Sequence, residues 1–119
     1  MKKSILISCV LVLCHTPAMA DSERVAGAAL WQQHNCAACH GQDAKSSISP
    51  DYPVLAGQHA DYLQQALLAY QRGQKGAAAT TNIRKNPVMG ALAVNLSASE
   101  IEQLSVWLAG LPGPLSYRH

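Results

Sequence analysis

Cys36-Ala37-Ala38-Cys39-His40 is the stretch from which the rest of the chain is read. Cys-x-x-Cys-His is the pattern that attaches haem. Two thiols three positions apart can add to the two vinyl groups on one edge of a porphyrin. The next residue, His40, is then carried under the iron with a ring nitrogen free to ligate it. Other uses of a close cysteine pair fit less well. A zinc site needs four ligands, usually from two such pairs, and no second pair follows. A thioredoxin-like redox pair wants a βαβ setting, and no run in this sequence alternates with the period of a strand.

Upstream of the motif, residues 1–20 read as a cleaved secretory signal. Lys2 and Lys3 give a positive start, Ile5 to Leu13 is almost uninterrupted apolar sequence, and Ala18-Met19-Ala20 places small residues before a cut at Asp21. The apolar run is about half of the roughly 20 residues that a membrane span requires, so no stable insertion of the mature chain is expected. Cys9 sits in a loose lipoprotein-like box, but too close to Lys3 for the usual apolar region of about 7–15 residues. Export would take the domain, residues 21–119, to the periplasm. Cys9 and Cys14 would leave with the signal, so Cys36 and Cys39 would be the remaining thiols, which is no disulfide scaffold.

The full sequence of 119 residues has a net charge of +2, but residues 21–119 hold seven basic and seven acidic side chains. That balance offers no basic patch for nucleic acid. The chain has no phenylalanine, and much of its apolar content is alanine, which buries little area. Such a domain gains from a large apolar cofactor as part of its core.

The helical pattern is clear at three places. A first helix starts at Asp21 or Ser22 and runs through Val25, Ala28, Ala29 and Trp31 toward Asn35. A second spans about His59 to Arg72, with Tyr62, Leu63, Ala66, Leu67 and Tyr70 on one face and Gly73 as a left-handed stop. A third opens on the capping box Ser97-Ala98-Ser99-Glu100 and buries Ile101, Leu104, Trp107, Leu108 and Leu111, ending at Gly110 and Pro112. Residues 41–53 and 74–86 read as loops, and Pro87 to Val94 as a short helix or turn. The fold class is all-α.

A haem iron has a second axial position. Met1 and Met19 belong to the signal, which leaves Met89 as the methionine of the mature chain. It lies in the turn-rich segment Asn86-Pro87-Val88-Met89-Gly90, where a loop can fold over a haem face. His34 sits on the approach to Cys36, His119 is at the chain end, and His59 is the competing imidazole. Met89 is the stronger candidate.

These blocks together resemble a class I cytochrome c, in particular single-haem relatives of bacterial cytochromes c4 and c553. The resemblance covers nearly all of residues 24–111. It is carried by Gly27-Ala28-Ala29-Leu30-Trp31 before the Cys-x-x-Cys-His block, by Pro53-Val54-Leu55-Ala56-Gly57-Gln58 running into Tyr62-Leu63, and by Met89 followed by Leu96-Ser97 and Ile101 to Leu108. It implies a small fold of three main helices and short helical turns wrapped around one covalently bound haem c with its iron. Cys36 and Cys39 would be the thioether attachments, His40 the proximal ligand and Met89 the distal one. Pro53 would offer its carbonyl oxygen to the other ring nitrogen of His40, orienting it. The first and last helices would cross at Gly27, against Trp107 or Leu108.

The function so implied is that of a periplasmic carrier passing single electrons between a redox donor and acceptor. Other readings are a small cytochrome subunit of a periplasmic dehydrogenase or reductase, and a haem protein with an open distal site for gas binding or peroxidatic chemistry. Cytochrome c4 proper has two haem domains whereas this sequence has one motif, which implies a unit that acts alone, dimerises or docks on a larger partner. Arg84 is a candidate partner for a haem propionate, with plain solvent exposure as its alternative.

Overall fold

The computed structural model describes residues 18–79 and 81–116. The expected signal segment lies outside them except for its last residues, and His119 lies outside as well. Among the described residues there are five helices and no strand: α1 (Ala18–Gln33), α2 (Ala37–His40), α3 (Ala60–Gln74), α4 (Pro87–Ala93) and α5 (Ala98–Ala109). None is long and apolar enough to cross a membrane.

Helix α1 packs across α5, and α3 packs on both α5 and α4. The α1–α5 crossing is set by Gly27. A β-carbon there would stand 2.3 Å from Trp107 Cβ and 2.5 Å from the Gln103 carbonyl oxygen, so only glycine lets the two backbones approach this closely. Trp31, one turn further along α1, is then buried with its ring 5.4 Å from that of Trp107. Such a pair adds about 0.5–1.5 kcal/mol to what burial of the rings supplies. Around it gather Leu30, Leu63, Leu104, Leu108 and the small residues Ala44 and Ala56. With so much alanine, the core depends on backbones lying close rather than on large side chains filling space.

The helix ends differ in part from expectation. Among the described residues α1 already includes Ala18 to Ala20, ahead of the Asp21 or Ser22 start that the sequence suggests. Helix α3 runs through Gly73 and stops at Gln74, and the left-handed residue is Gly76. The Ala77 N–H donates to the Arg72 carbonyl across that turn. Gly73 is small for another reason: a β-carbon there would meet the Arg84 carbonyl oxygen at 2.1 Å. Ala69, whose carbonyl accepts from the Arg84 N–H, is buried while Tyr62 is half-exposed, so the buried stripe of α3 is turned from the one the apolar spacing predicts. On α5 the capping box is present, with Ser97 Oγ accepting from the Glu100 N–H and Glu100 Oε2 accepting from the Ser97 N–H. Ile101, Leu104 and Leu108 are buried as the stripe predicts, together with Ser105.

Replacing Gly27 by valine should lower stability by about 3 kcal/mol, since neither the α5 backbone nor Trp107 Cβ can yield. Gly76→Ala, which meets no neighbour within 4 Å but keeps a positive φ, should cost only about 1 kcal/mol. Denaturant midpoints of the two variants, at unchanged slope, check the ranking.

Candidate functional site

The turn that carries Cys36, Cys39 and His40 is produced by the way α1 ends. Asn35 adopts the left-handed conformation, with φ 55°. Its N–H donates to the Gln32 carbonyl and the Cys36 N–H reaches back to the Trp31 carbonyl. This paired pattern closes a helix and reverses the chain, a job asparagine does better than any residue but glycine. Cys36 is thereby laid against the core cluster that holds Trp31. Helix α2 starts immediately, with the His40 N–H donating to the Cys36 carbonyl at 3.0 Å. Positions i, i+3 and i+4 share one helix face, so both thiols and the imidazole project from the same side of this single turn. Burial pushes the Cys36 thiol up from its ordinary value.

His40 is buried at 6% exposure. Trp31 and Tyr52 flank its ring, with centroids 6.1 and 6.0 Å away. Its Nδ1 lies 3.2 Å from the Pro53 carbonyl oxygen. A carbonyl only accepts, so Nδ1 carries the hydrogen and Nε2 keeps its lone pair. Burial also lowers the pKa of His40, against a smaller opposing effect of the Pro53 hydrogen bond. Burial favours the neutral ring and the Pro53 bond fixes its tautomer, which leaves Nε2 as the one nitrogen ready to coordinate.

Pro53 is brought to His40 by a loop that is itself closely tied. Gly41, at φ 82°, passes so near Ser46 that a β-carbon would stand 2.3 Å from its carbonyl oxygen. The Asp43 carboxylate accepts from the Lys45 N–H, the Ser46 N–H and the Ser46 hydroxyl at 3.0, 2.7 and 2.7 Å. Ala44 is wholly buried at φ 55°, and its carbonyl accepts from both the Leu55 and Ala56 N–H groups. The Ile48 N–H donates to the Cys39 carbonyl, and the Gly57 N–H donates to the Leu108 carbonyl of α5. The loop is therefore pinned to α2 at one end and to α5 at the other.

Met89 belongs to a different element. Asn86 caps α4, its side-chain oxygen accepting from the Val88 and Met89 N–H groups at 3.0 and 2.9 Å, and Met89 is half-buried in the first turn. His34 does not join the site; its Nε2 lies 3.3 Å from Glu100 Oε1 at the start of α5. His59 occupies the N-cap position of α3 without a capping hydrogen bond from its side chain. Arg84 is neither simply exposed nor free: it donates to Tyr62 Oη at 2.9 Å and lies over the rings of Tyr62 and Tyr70.

Among the described residues no group of three or more His, Cys, Asp or Glu side chains could hold a metal ion by itself. Two thiols and one neutral imidazole on one face suit instead a flat organic group that brings its own equatorial ligands. Trp31 Nε1, in the ring beside His40, is buried without a partner and is a donor available to such a group. The residues fit haem.

Comparison with known proteins agrees. A family model described as cytochrome c matches residues 25–112. Cytochrome c4 of Azotobacter vinelandii is 33% identical over 76 residues, 64% of this chain and 34% of that protein. A thiosulfate dehydrogenase electron acceptor of Stutzerimonas stutzeri is 33% identical over 79 residues, 66% of this chain and 32% of that protein. Cytochrome c-554(548) of Halomonas halodenitrificans is 48% identical over 40 residues, 34% of this chain and 47% of that protein. The chain thus spans about a third to a half of the length of these curated relatives.

Asp43 supplies a pH test of the loop. Its three hydrogen bonds hold its pKa down to about 2, below the unfolded carboxylate value of roughly 4. The ionised group therefore stabilises the fold above about pH 4, and that contribution fades as pH falls through about 2. Asp43→Ala should lower the denaturant midpoint near pH 7, with the gap from the parent protein closing toward about pH 2.

Proposed function

The chain belongs to the cytochrome c family, whose members hold haem c and its iron covalently, and from that premise we propose that it is a periplasmic single-haem carrier of electrons. Residues 1–20 are its cleaved signal and 21–119 its one haem domain. Cys36 and Cys39 form the thioethers, His40 is the proximal ligand and Met89 the distal one. The observation that carries the reading is the His40 ring: buried, fixed by the Pro53 carbonyl, and set on the same turn as both thiols.

When bound, the haem iron supplies one-electron chemistry between its ferric and ferrous states. The protein contributes geometry and environment. The Pro53 hydrogen bond prevents ring rotation and makes the imidazole a better donor. Trp31 and Tyr52 keep water from the ring. With Met89 as well as His40 holding the iron, its thioether would favour the ferrous form and the reduction potential would be relatively high for a c-type haem. With Lys45, Lys75 and Lys85 as the lysines of the domain, docking on a redox partner does not rest on a strong basic ring. No catalytic residue is invoked; the protein is a carrier.

A second reading makes the same domain the dedicated acceptor or small subunit of a periplasmic dehydrogenase. It is favoured by the relative named as a thiosulfate dehydrogenase electron acceptor. Co-purification with a larger redox subunit from periplasmic extract separates this from a free carrier.

The oxidised protein should show a methionine–iron charge-transfer band that Met89→Ala abolishes, while covalent haem attachment persists in that variant. Carbon monoxide should bind the reduced parent protein poorly and the variant readily. Ready binding by the untouched protein would favour an open distal site and defeat the carrier reading.

A further inference from the structure

Helix α4 has seven residues, too few to be stable without outside support. Its placement must come from ties to the rest of the fold, and α3 supplies them at both ends. At the far end, Gln71 Nε2 donates to the carbonyls of Ala93 and Leu96 at 2.7 and 2.8 Å. At the near end, the chain entering α4 lies directly across α3. The Arg84 N–H donates to the Ala69 carbonyl, Arg72 Nε donates to the Asn82 carbonyl, and Gly73 leaves room for the Arg84 carbonyl. The side chain of Arg84 adds a grip of its own. Its guanidinium sits 5.4 Å from the Tyr62 ring centre and 5.7 Å from that of Tyr70, and one of its N–H groups donates to Tyr62 Oη. Tyr62 and Tyr70 lie about two turns apart on α3, so the guanidinium bridges them along the helix.

We propose that Arg84 is a positioning residue for the distal ligand: clamped by Tyr62 and Tyr70, it fixes the segment that delivers Met89 and so limits how often the distal position opens. The inference rests on Met89 ligation as proposed above. Asn86, the cap at whose first turn Met89 stands, is two positions beyond Arg84, so release of the guanidinium loosens the entry to α4, leaving it to the Arg84 N–H and Arg72 bonds, while the Gln71 tie still holds its exit. Lysine is an incomplete substitute, because it can lie over one ring but cannot span both and also reach the hydroxyl.

The test uses the haem-loaded protein and the rate of carbon monoxide binding to its reduced form, which follows the population of the opened state. Loss of the cation–π contacts and the hydrogen bond predicts about a tenfold faster rate in Arg84→Met. Arg84→Lys should lie between it and the parent, and Tyr62→Phe, which removes only the hydroxyl, should give a rise of roughly threefold. A parent-like rate in Arg84→Met, even with a lower denaturant midpoint, overturns the proposal and leaves Arg84 a merely structural residue. If Arg84→Met does not retain haem, Tyr62→Phe decides, and a parent-like rate there overturns it equally. Failure of the underlying reading is recognised separately: an oxidised parent protein without the methionine–iron band has no distal methionine to position, and the proposal falls with it.

Discussion

An imidazole has one lone pair to give when neutral, and in this fold the carbonyl of Pro53 decides which nitrogen gives it. The 3.2 Å contact to His40 Nδ1 is a single hydrogen bond, yet most of residues 41–57 is arranged so that it can form. Gly41 turns the chain away from α2, Asp43 gathers the next N–H groups, and the buried Ala44 carbonyl receives Leu55 and Ala56. The Gly57 bond to Leu108 then anchors the loop on α5. Ala44 holds a left-handed conformation that ordinarily costs about 1–2 kcal/mol, and it does so where its methyl is sealed in the core and its carbonyl is used twice. Local strain and a defined tautomer are two sides of one arrangement.

The other end of that arrangement is the helix crossing. Trp31 supports the His40 ring and also lies against Trp107, whose own position depends on the missing side chain of Gly27. A change at Gly27 would therefore reach the imidazole through two aromatic rings, without touching any residue of the turn. In a domain with so few large apolar side chains, packing and ligand geometry share the same atoms. This is why the core cluster includes Ala44 and Ala56 and has Cys36 packed against it.

What was legible in the sequence was whatever depends on residues close together in the chain. The Cys36 to His40 block, the Ser97–Glu100 box and the apolar period of α5 are local patterns, and the cytochrome c family and all-α class follow from them. Features made by distant backbone were harder to read. Gly73 looked like a helix stop because glycine often is one, whereas its smallness makes room for the backbone of Arg84, eleven residues on. Tyr62 fitted the apolar face of α3 by spacing, but the buried position is Ala69, against which the Arg84 backbone lies. Asn35 did carry a signal, since asparagine directly before a new helical turn is a left-handed cap candidate. The Asp43 bonds to Lys45 and Ser46 are likewise a local Asp turn that its neighbours could have suggested. Ser105 Oγ is buried in the α5 stripe without a hydrogen-bond partner, a position that the apolar period of α5 does not mark.

The two sides of the candidate site are built unequally, and the inequality has a consequence. The proximal residues stand on a turn continuous with α1, packed against the core and flanked by aromatic rings. The segment with Met89 is a short helix carried by polar ties, and Val88 and Leu92 on it are exposed. Exposed hydrogen bonds with few buried apolar contacts mark the parts of a fold that open first. On the proposed ligation, local opening would begin on the Met89 side and leave His40 in place. With haem held through Cys36, Cys39 and His40, such an event would expose the Met89 face without releasing the group. The polar ties around α4 would then govern when that face is accessible, while the core around Trp31 keeps the His40 side constant.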